Sequence, residues 1–195
     1  GSVPSPVYYI YQFFQQNVVN IQIGGLDIGA NYEVATDNFG TFKIGDALTE
    51  FLRYDETASG APPVYSVINT SGFNQTFPSV QTLMRVSFGW IMESYEADLF
   101  VNYTGSYRNW SANTVNPILR DANGAPIGGG DPVGANATVD MHLAYAFSTD
   151  SLGNSEISID GKDIFNRHLP FYNSTNGYDT YEANPIGRVI SVGLK

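Results

Sequence analysis

Reactive side chains do chemistry only when they can meet, and this chain offers few that could. Histidine occurs twice, at His142 and His168, and cysteine is absent. Neither histidine stands at metal-ligand spacing from another, and without cysteine a zinc site would have to draw on carboxylates. His142 fits a strand position facing a watery lumen and His168 a loop near its rim, so structural or incidental roles are expected for both. The stretch Asp121-Ala122-Asn123-Gly124, followed by Gly128-Gly129-Gly130-Asp131, has the oxygen-rich composition of a calcium loop. It lacks the closing Glu of an EF-hand and is interrupted by Pro126, so the expectation is an external loop rich in turn residues. Asp37 and the pair Asp55-Glu56 lie beside turns and read as solvated charges. There is no nucleophile elbow, phosphate loop or paired-carboxylate arrangement. The expected catalytic, cofactor-binding and metal-ligating residues are therefore none, no cofactor is implied, and individual ligand contacts stay unassigned.

Asn-X-Ser/Thr triplets begin at Asn69, Asn74, Asn102, Asn109, Asn136 and Asn173. In a eukaryotic secreted protein they would suggest glycosylation. In a chain this rich in Asn, Ser and Thr they arise by chance, and Asn102 falls inside a strand pattern. With 9 Lys+Arg against 19 Asp+Glu and a formal net charge of -10, the chain has no basic surface for nucleic acid.

The elements that would carry these groups are strands. At 195 residues the chain can form one domain. No apolar run is long enough for a spanning helix, which leaves spanning strands open, since these need only about 9–11 alternating residues. Met84, Val86, Phe88 and Trp90 alternate with Arg85, Ser87 and Gly89. Ala97, Leu99, Val101 and Tyr103 alternate with Asp98, Asn102 and Thr104, Phe100 being the exception. Val139, Met141, Leu143, Tyr145 and Phe147 alternate with Asp140, His142 and Ala144. Leu26, Ile28, Ala30, Tyr32 and Val34 form another such face, while Ile21 and Ile23 sit on the opposite parity. Gly24-Gly25 is where a bulge would reset the register. Phe42 to Tyr54 is also read as a strand, although Asp46 and Glu50 share parity with Phe42, Ile44 and Leu48. Ile157 and Ile159, then Ile190, Val192 and Leu194, complete the pattern.

The connections come in two lengths. Short ones lie at 36–40, 91–94 and 149–154, and long ones at about 56–79, 108–137 and 167–186. In an up-and-down antiparallel sheet this alternation puts every short turn at one end and every long loop at the other, as in outer-membrane barrels. Aromatics toward the ends of the apolar faces (Trp90, Tyr103, Tyr107, Tyr145, Phe147) suit an interfacial girdle. Asp98, Asp140 and Glu33 suit a lumen. A soluble sandwich would alternate too.

The tail carries a resemblance. Glu156 to Arg167, an alternating strand running into Asp163-Ile164-Phe165-Asn166 and then Leu169-Pro170-Phe171-Tyr172, is similar to the penultimate strand of TonB-dependent outer-membrane receptors. The Asn and Asp stand in exchanged places relative to that family's Asn-Leu-Phe-Asp. Asn184 to Lys195, with Gly187-Arg188 before the last alternating run, resembles the family's final strand. Gly25-Leu26-Asp27-Ile28 after Asn17, and Phe51-Leu52-Arg53-Tyr54, fit the same order, so the resemblance spans roughly 17–195. The chain stops at Lys195 where the family usually ends in an aromatic residue.

The resemblance implies an all-β fold of about seven antiparallel up-and-down strands, part of a larger barrel in the outer membrane of a Gram-negative bacterium. It implies TonB-energised uptake of a scarce solute: an iron–siderophore, haem, cobalamin or oligosaccharide. The implied partners are outer-membrane lipid, a small-molecule or iron-chelate ligand, and TonB acting through a plug domain absent from these residues; nucleic acid is not among them. No enzyme activity is implied. Loops around 56–79, 108–137 and 169–186 are the expected ligand contacts. Residues 1–16 read as a tag-cleavage remnant, Gly1-Ser2, leading into an aromatic external loop or strand end at Tyr8–Phe14. The alternative is a soluble carbohydrate-binding β-sandwich, with Tyr65, Trp110 and Tyr172 stacking on sugar rings.

Overall fold

Period-two alternation favours strands that pair laterally and present two chemically different faces. The computed structural model describes residues 19–58, 64–71, 79–111, 114–151 and 153–195, so the aromatic run Tyr8–Phe14 lies outside the described residues. Among those described there is no helix. The strands are β1 (Val19–Thr36), β2 (Gly40–Ala58), β3 (Tyr65–Ser66), β4 (Thr70–Ser71), β5 (Thr82–Met92), β6 (Tyr95–Thr104), β7 (Tyr107–Asn109), β8 (Ile118–Arg120), β9 (Pro126–Gly129), β10 (Asp131–Val133), β11 (Asn136–Thr149), β12 (Gly153–Lys162) and β13 (Val189–Leu194). One antiparallel up-and-down sheet runs β1-β2-β5-β6-β11-β12-β13, with the short β3 added to β2. This is the expected all-β arrangement of about seven long strands. The sheet is open, with β1 at one edge and β13 at the other.

The tight turns fall where turn residues cluster. Between β1 and β2, the Thr36 hydroxyl donates to Gly40 O (2.7 Å) and accepts from Phe39 N (3.1 Å). Gly40 has φ 76°, and a Cβ there would strike Ile91 O, so no other residue fits. Glu93 (φ 51°) turns β5 into β6, and Gly153 (φ 66°) opens β12. These turns share one end of the sheet. The connections 59–81, 105–135 and 163–188 share the other.

The register slips at Gly24-Gly25, as their parity break predicts. Gly24 faces Arg53 and Gly25 faces Phe51, so Leu52 is the extra residue of a bulge. A Cβ on Gly25 would come within 2.6 Å of Glu50 O, which is why the close approach uses glycine. The mixed segment from Phe42 onward is indeed strand. Glu50 accepts a hydrogen bond from Thr82 Oγ1 (2.7 Å), and Asp46 sits in register between Ala30 and Val86.

Following the register across all seven strands gives two rows with no polar side chain. One is Val34–Phe42–Trp90–Ala97–Leu143–Ile159–Val192; the next is Tyr32–Ile44–Phe88–Leu99–Met141–Gly161–Ile190. Leu26, Ile28, Tyr32, Ile44, Phe88 and Val192 are all exposed, Tyr32 to 66%. Small Ala97 leaves a shallow apolar groove of about 380 Å³ between Phe88, Trp90 and Leu143. Among the described residues no second sheet covers this face.

The row behind it, on the other face, is Glu33–Lys43–Gly89–Asp98–His142–Asp160–Ser191. This face is tied by polar contacts. Arg85 Nη1 donates to Asn102 Oδ1 (2.9 Å) and stacks its guanidinium 4.4 Å from the Phe100 ring centre. Asn102 Nδ2 donates to Asp140 Oδ2 (2.9 Å), and His142 Nδ1 meets Asp160 Oδ1 at 2.7 Å. Phe100, the odd residue in the alternation, is thus accommodated on the polar face by a cation.

The buried residues lie at the loop end. Val80, Tyr107, Val133 and Tyr172 form a hydrophobic cluster with Leu83 packed against it. Small elements build this cap: β4 pairs with β7 in parallel, β10 pairs with β7 antiparallel, and β8 and β9 form a hairpin. Tyr107 therefore belongs to the cap, a correction to its reading as a girdle residue. β6 ends at Thr104, and Gly105 N, donating to Thr82 O (2.9 Å), redirects the chain before Tyr107. Tyr145 does stack at the turn end, with ring centres 4.9 Å from Tyr95 and 6.2 Å from Phe147.

Candidate functional site

The loop cap gathers the densest polar network among the described residues, and Asp179 is its centre. Asp179 is 5% exposed. Its Oδ2 accepts from Ser71 Oγ (2.7 Å) on β4 and from Tyr107 OH (3.0 Å) on β7, and its Oδ1 accepts from Tyr181 N (3.0 Å). One carboxylate thus joins the three long connections. Ser71 Oγ also meets Tyr172 OH (3.4 Å), and Asn109 Nδ2 donates to Asn173 O (3.2 Å). Ladder bonds continue the union, from Arg108 N to Asn69 O (2.9 Å) and from Trp110 N to Ser71 O (2.7 Å). Burial first, and the Asp179 charge second, hold the Tyr107 hydroxyl far above the usual tyrosine range. Burial and the same charge raise Glu182 to about 7.

The acids and histidines singled out from the sequence lie apart from one another. Asp121 Oδ1 accepts from Asn123 N and Ala125 N (both 2.9 Å), closing a local turn. Asp131 accepts from Val115 N (2.8 Å) and from Asn116 N (2.7 Å) and Nδ2 (2.8 Å), and these backbone donors hold its carboxyl below the usual range. Both acids are committed to backbone amides, and the fold does not bring them together as ligands. His168 is exposed, and His142 pairs with Asp160 on the polar face. Asp37 is exposed in its turn, and Asp55 accepts from Arg53 Nε.

Glu56 departs from expectation. Far from solvated, it is 0% exposed, with neither carboxylate oxygen hydrogen-bonded among the described residues. Its place on β2 lies beyond the apolar rows, where β3 folds back and sets Tyr65 opposite it. Burial pushes its carboxyl up to about 7.

Two of the Asn-X-Ser/Thr asparagines hold the loops together. Asn69 adopts φ 58° and accepts from Gln81 N (2.8 Å); Asn109 is fully buried and accepts from Ser111 N (2.8 Å). Asn74 lies outside the described residues. Trp110, 5% exposed, donates from Nε1 to Gly129 O (3.1 Å), and Tyr172 is inside the hydrophobic cluster. Two of the three aromatics expected to stack on sugars are thus consumed by loop packing.

The two tail motifs, more than twenty residues apart in sequence, meet in space. Asp163 (φ 44°) donates from its N to Asp140 Oδ1 (3.0 Å), and both its carboxylate oxygens accept from Arg167 N (3.0 Å). Asn166 (φ 51°) then offers Oδ1 to Arg188 N (3.1 Å) beside Gly187 (φ 69°). Two left-handed asparagine-type residues and a glycine thereby fold the chain back and deliver β13 to the edge of β12. Asp179 and Glu182 were not foreseen: neither stands in a motif, and their partners lie on other loops.

Comparison with known protein families, with curated proteins and with solved structures finds no match.

Proposed function

We propose that this chain is part of the wall of an outer-membrane active-transport receptor, energised by TonB, that takes up a scarce solute such as an iron–siderophore, haem, cobalamin or oligosaccharide. The observation that carries the reading is the exposed apolar face, with two rows free of polar side chains across seven strands and a charged row behind them. Water penalises such a face and lipid does not. Along β5 the face runs from Met84 to Met92. At about 3.4 Å per residue and a tilt of about 40°, that spans about 20 Å, close to the about 25 Å band of outer-membrane barrels. The turn-end aromatics, the segregation of turns from loops, and the tail motifs that resemble the receptor family support the same reading.

In this reading the polar face lines the lumen, the loop cap faces outside the cell, and both sheet edges continue into further strands. TonB acts through a plug region beyond these residues. No residue is assigned a catalytic role. The carbohydrate-binding sandwich is the weaker reading, because Trp110 and Tyr172 are buried and the apolar face has no facing sheet among the described residues. Membrane fractionation of cells expressing the complete natural gene is the test. The expected result is recovery in the outer-membrane fraction, with solute uptake lost when TonB is deleted. A compact, detergent-free soluble monomer would overturn the proposal.

A further inference from the structure

A cavity of about 10 Å³ lies beneath the cap, between Thr104, Tyr107, Asn136, Asp179 and Glu182. It is at the lower limit for a single water and too small for a ligand. Two observations on its wall belong together. Asn136 Oδ1 is buried with no hydrogen-bond donor among the described residues, an uncommon and costly situation. Glu182 lines the same cavity from the 163–188 connection, and its ionised form has no proton to offer.

We propose that Glu182 is a proton-operated latch: protonated, it donates to Asn136 Oδ1 and ties the 163–188 connection to the start of β11, and ionised, it releases that tie. The groups facing Glu182 fix the direction. Asp179 is three residues before it on the same turn and already holds donors from Ser71, Tyr107 and Tyr181. That places the negative charge on Asp179 and leaves Glu182 as the acid that takes up a proton. The other ionisable group on the cavity wall is Tyr107, whose hydroxyl points at Asp179 and stays protonated. Among the described residues no cation lines this cavity. Burial and the Asp179 charge put the Glu182 carboxyl at about 7, against 4.5 when the loop is open. A raised acid makes the closed form bind protons more tightly, so closure is favoured at low pH, weakens as pH rises from about 4.5 to about 7, and is flat above that. The inference does not rest on the transport reading, because it concerns the cap alone.

Hydrogen exchange of the full chain in detergent, normalised to intrinsic rates, tests it between pH 5 and pH 8. Peptides covering 104–111, 134–140 and 168–186 should lose protection, by at most about seventy-fold across that range. E182Q, a neutral donor of the same shape, should stay protected at both pH values, and N136A, which removes the acceptor, should lower protection at pH 5 toward the level seen at pH 8. Wild-type protection that does not change with pH, a dependence kept intact in E182Q, or protection at pH 5 that N136A leaves unchanged would overturn the latch. Protection that rises with pH would show that the amide of Asn136 donates to an ionised Glu182, which also overturns it.

Discussion

Replacing Asp179 with alanine should unlock the loop cap while leaving the long sheet intact. The carboxylate accepts from Ser71 Oγ at 2.7 Å, Tyr107 OH at 3.0 Å and Tyr181 N at 3.0 Å. Bonds to an ionised acceptor contribute about 1.5–3 kcal/mol each, and a buried donor left unpaired costs about 1–3 kcal/mol. The three losses are unequal. Ser71 retains Tyr172 OH at 3.4 Å, whereas Tyr107, buried in the hydrophobic cluster, has no second hydroxyl partner among the described residues. Removing the charge also relieves Glu182, which offsets part of the cost. A net loss of about 3 kcal/mol follows, equivalent to about a hundred-fold more frequent opening. Hydrogen exchange reads this at the amides that cross between loops: Arg108 N to Asn69 O and Trp110 N to Ser71 O. Peptides over 64–71 and 107–111 should exchange about a hundred-fold faster, while those over 84–91 and 96–102 should not change. D179N, which keeps the shape and loses the charge, should fall between. The reasoning is refuted if D179A leaves the cap peptides protected, or if it loosens cap and sheet alike, since the latter would mean that the cap does not open as a separate unit.

Asn166→Ala should free β13 from β12. The substitution puts alanine at φ 51° and removes the acceptor for Arg188 N, together about 2 kcal/mol, seen as faster exchange confined to residues 188–194. Unchanged exchange there would mean that β13 docks without this turn. Asp46→Leu probes the apolar face, where Asp46 sits between Ala30 and Val86. With lipid against this face, unfolding from vesicles should show the variant more stable by about 1 kcal/mol or more. A loss of stability would indicate a polar partner for Asp46 and a face that does not meet lipid.

The alternating strands were legible in the sequence because their signal is local. Side chains two apart share a face, so Met84 to Trp90 or Val139 to Phe147 declares a strand without reference to the rest of the chain. Gly24-Gly25 marked the bulge because parity breaks there, and the spacing of turn residues foretold which end holds the loops. The sequence also separated apolar from polar faces, since the register that aligns Phe42, Trp90, Ala97 and Leu143 preserves the parity each strand already had.

The cap was not legible. Ser71 and Asp179 are 108 residues apart, and Ser71 and Tyr172 are 101 apart, with no period linking them. Whether an aromatic or an acid on a loop meets solvent depends on which other loop folds over it. Tyr107, Trp110 and Tyr172 were therefore given to girdle or ligand and are packing, and Glu56 was read as solvated and is buried without a partner among the described residues. Strands, their faces and the alternation of short and long connections follow from neighbours along the chain. The locking of the long loops around Asp179 does not, because burial and hydrogen bonding there are set by segments that meet only when the chain is folded.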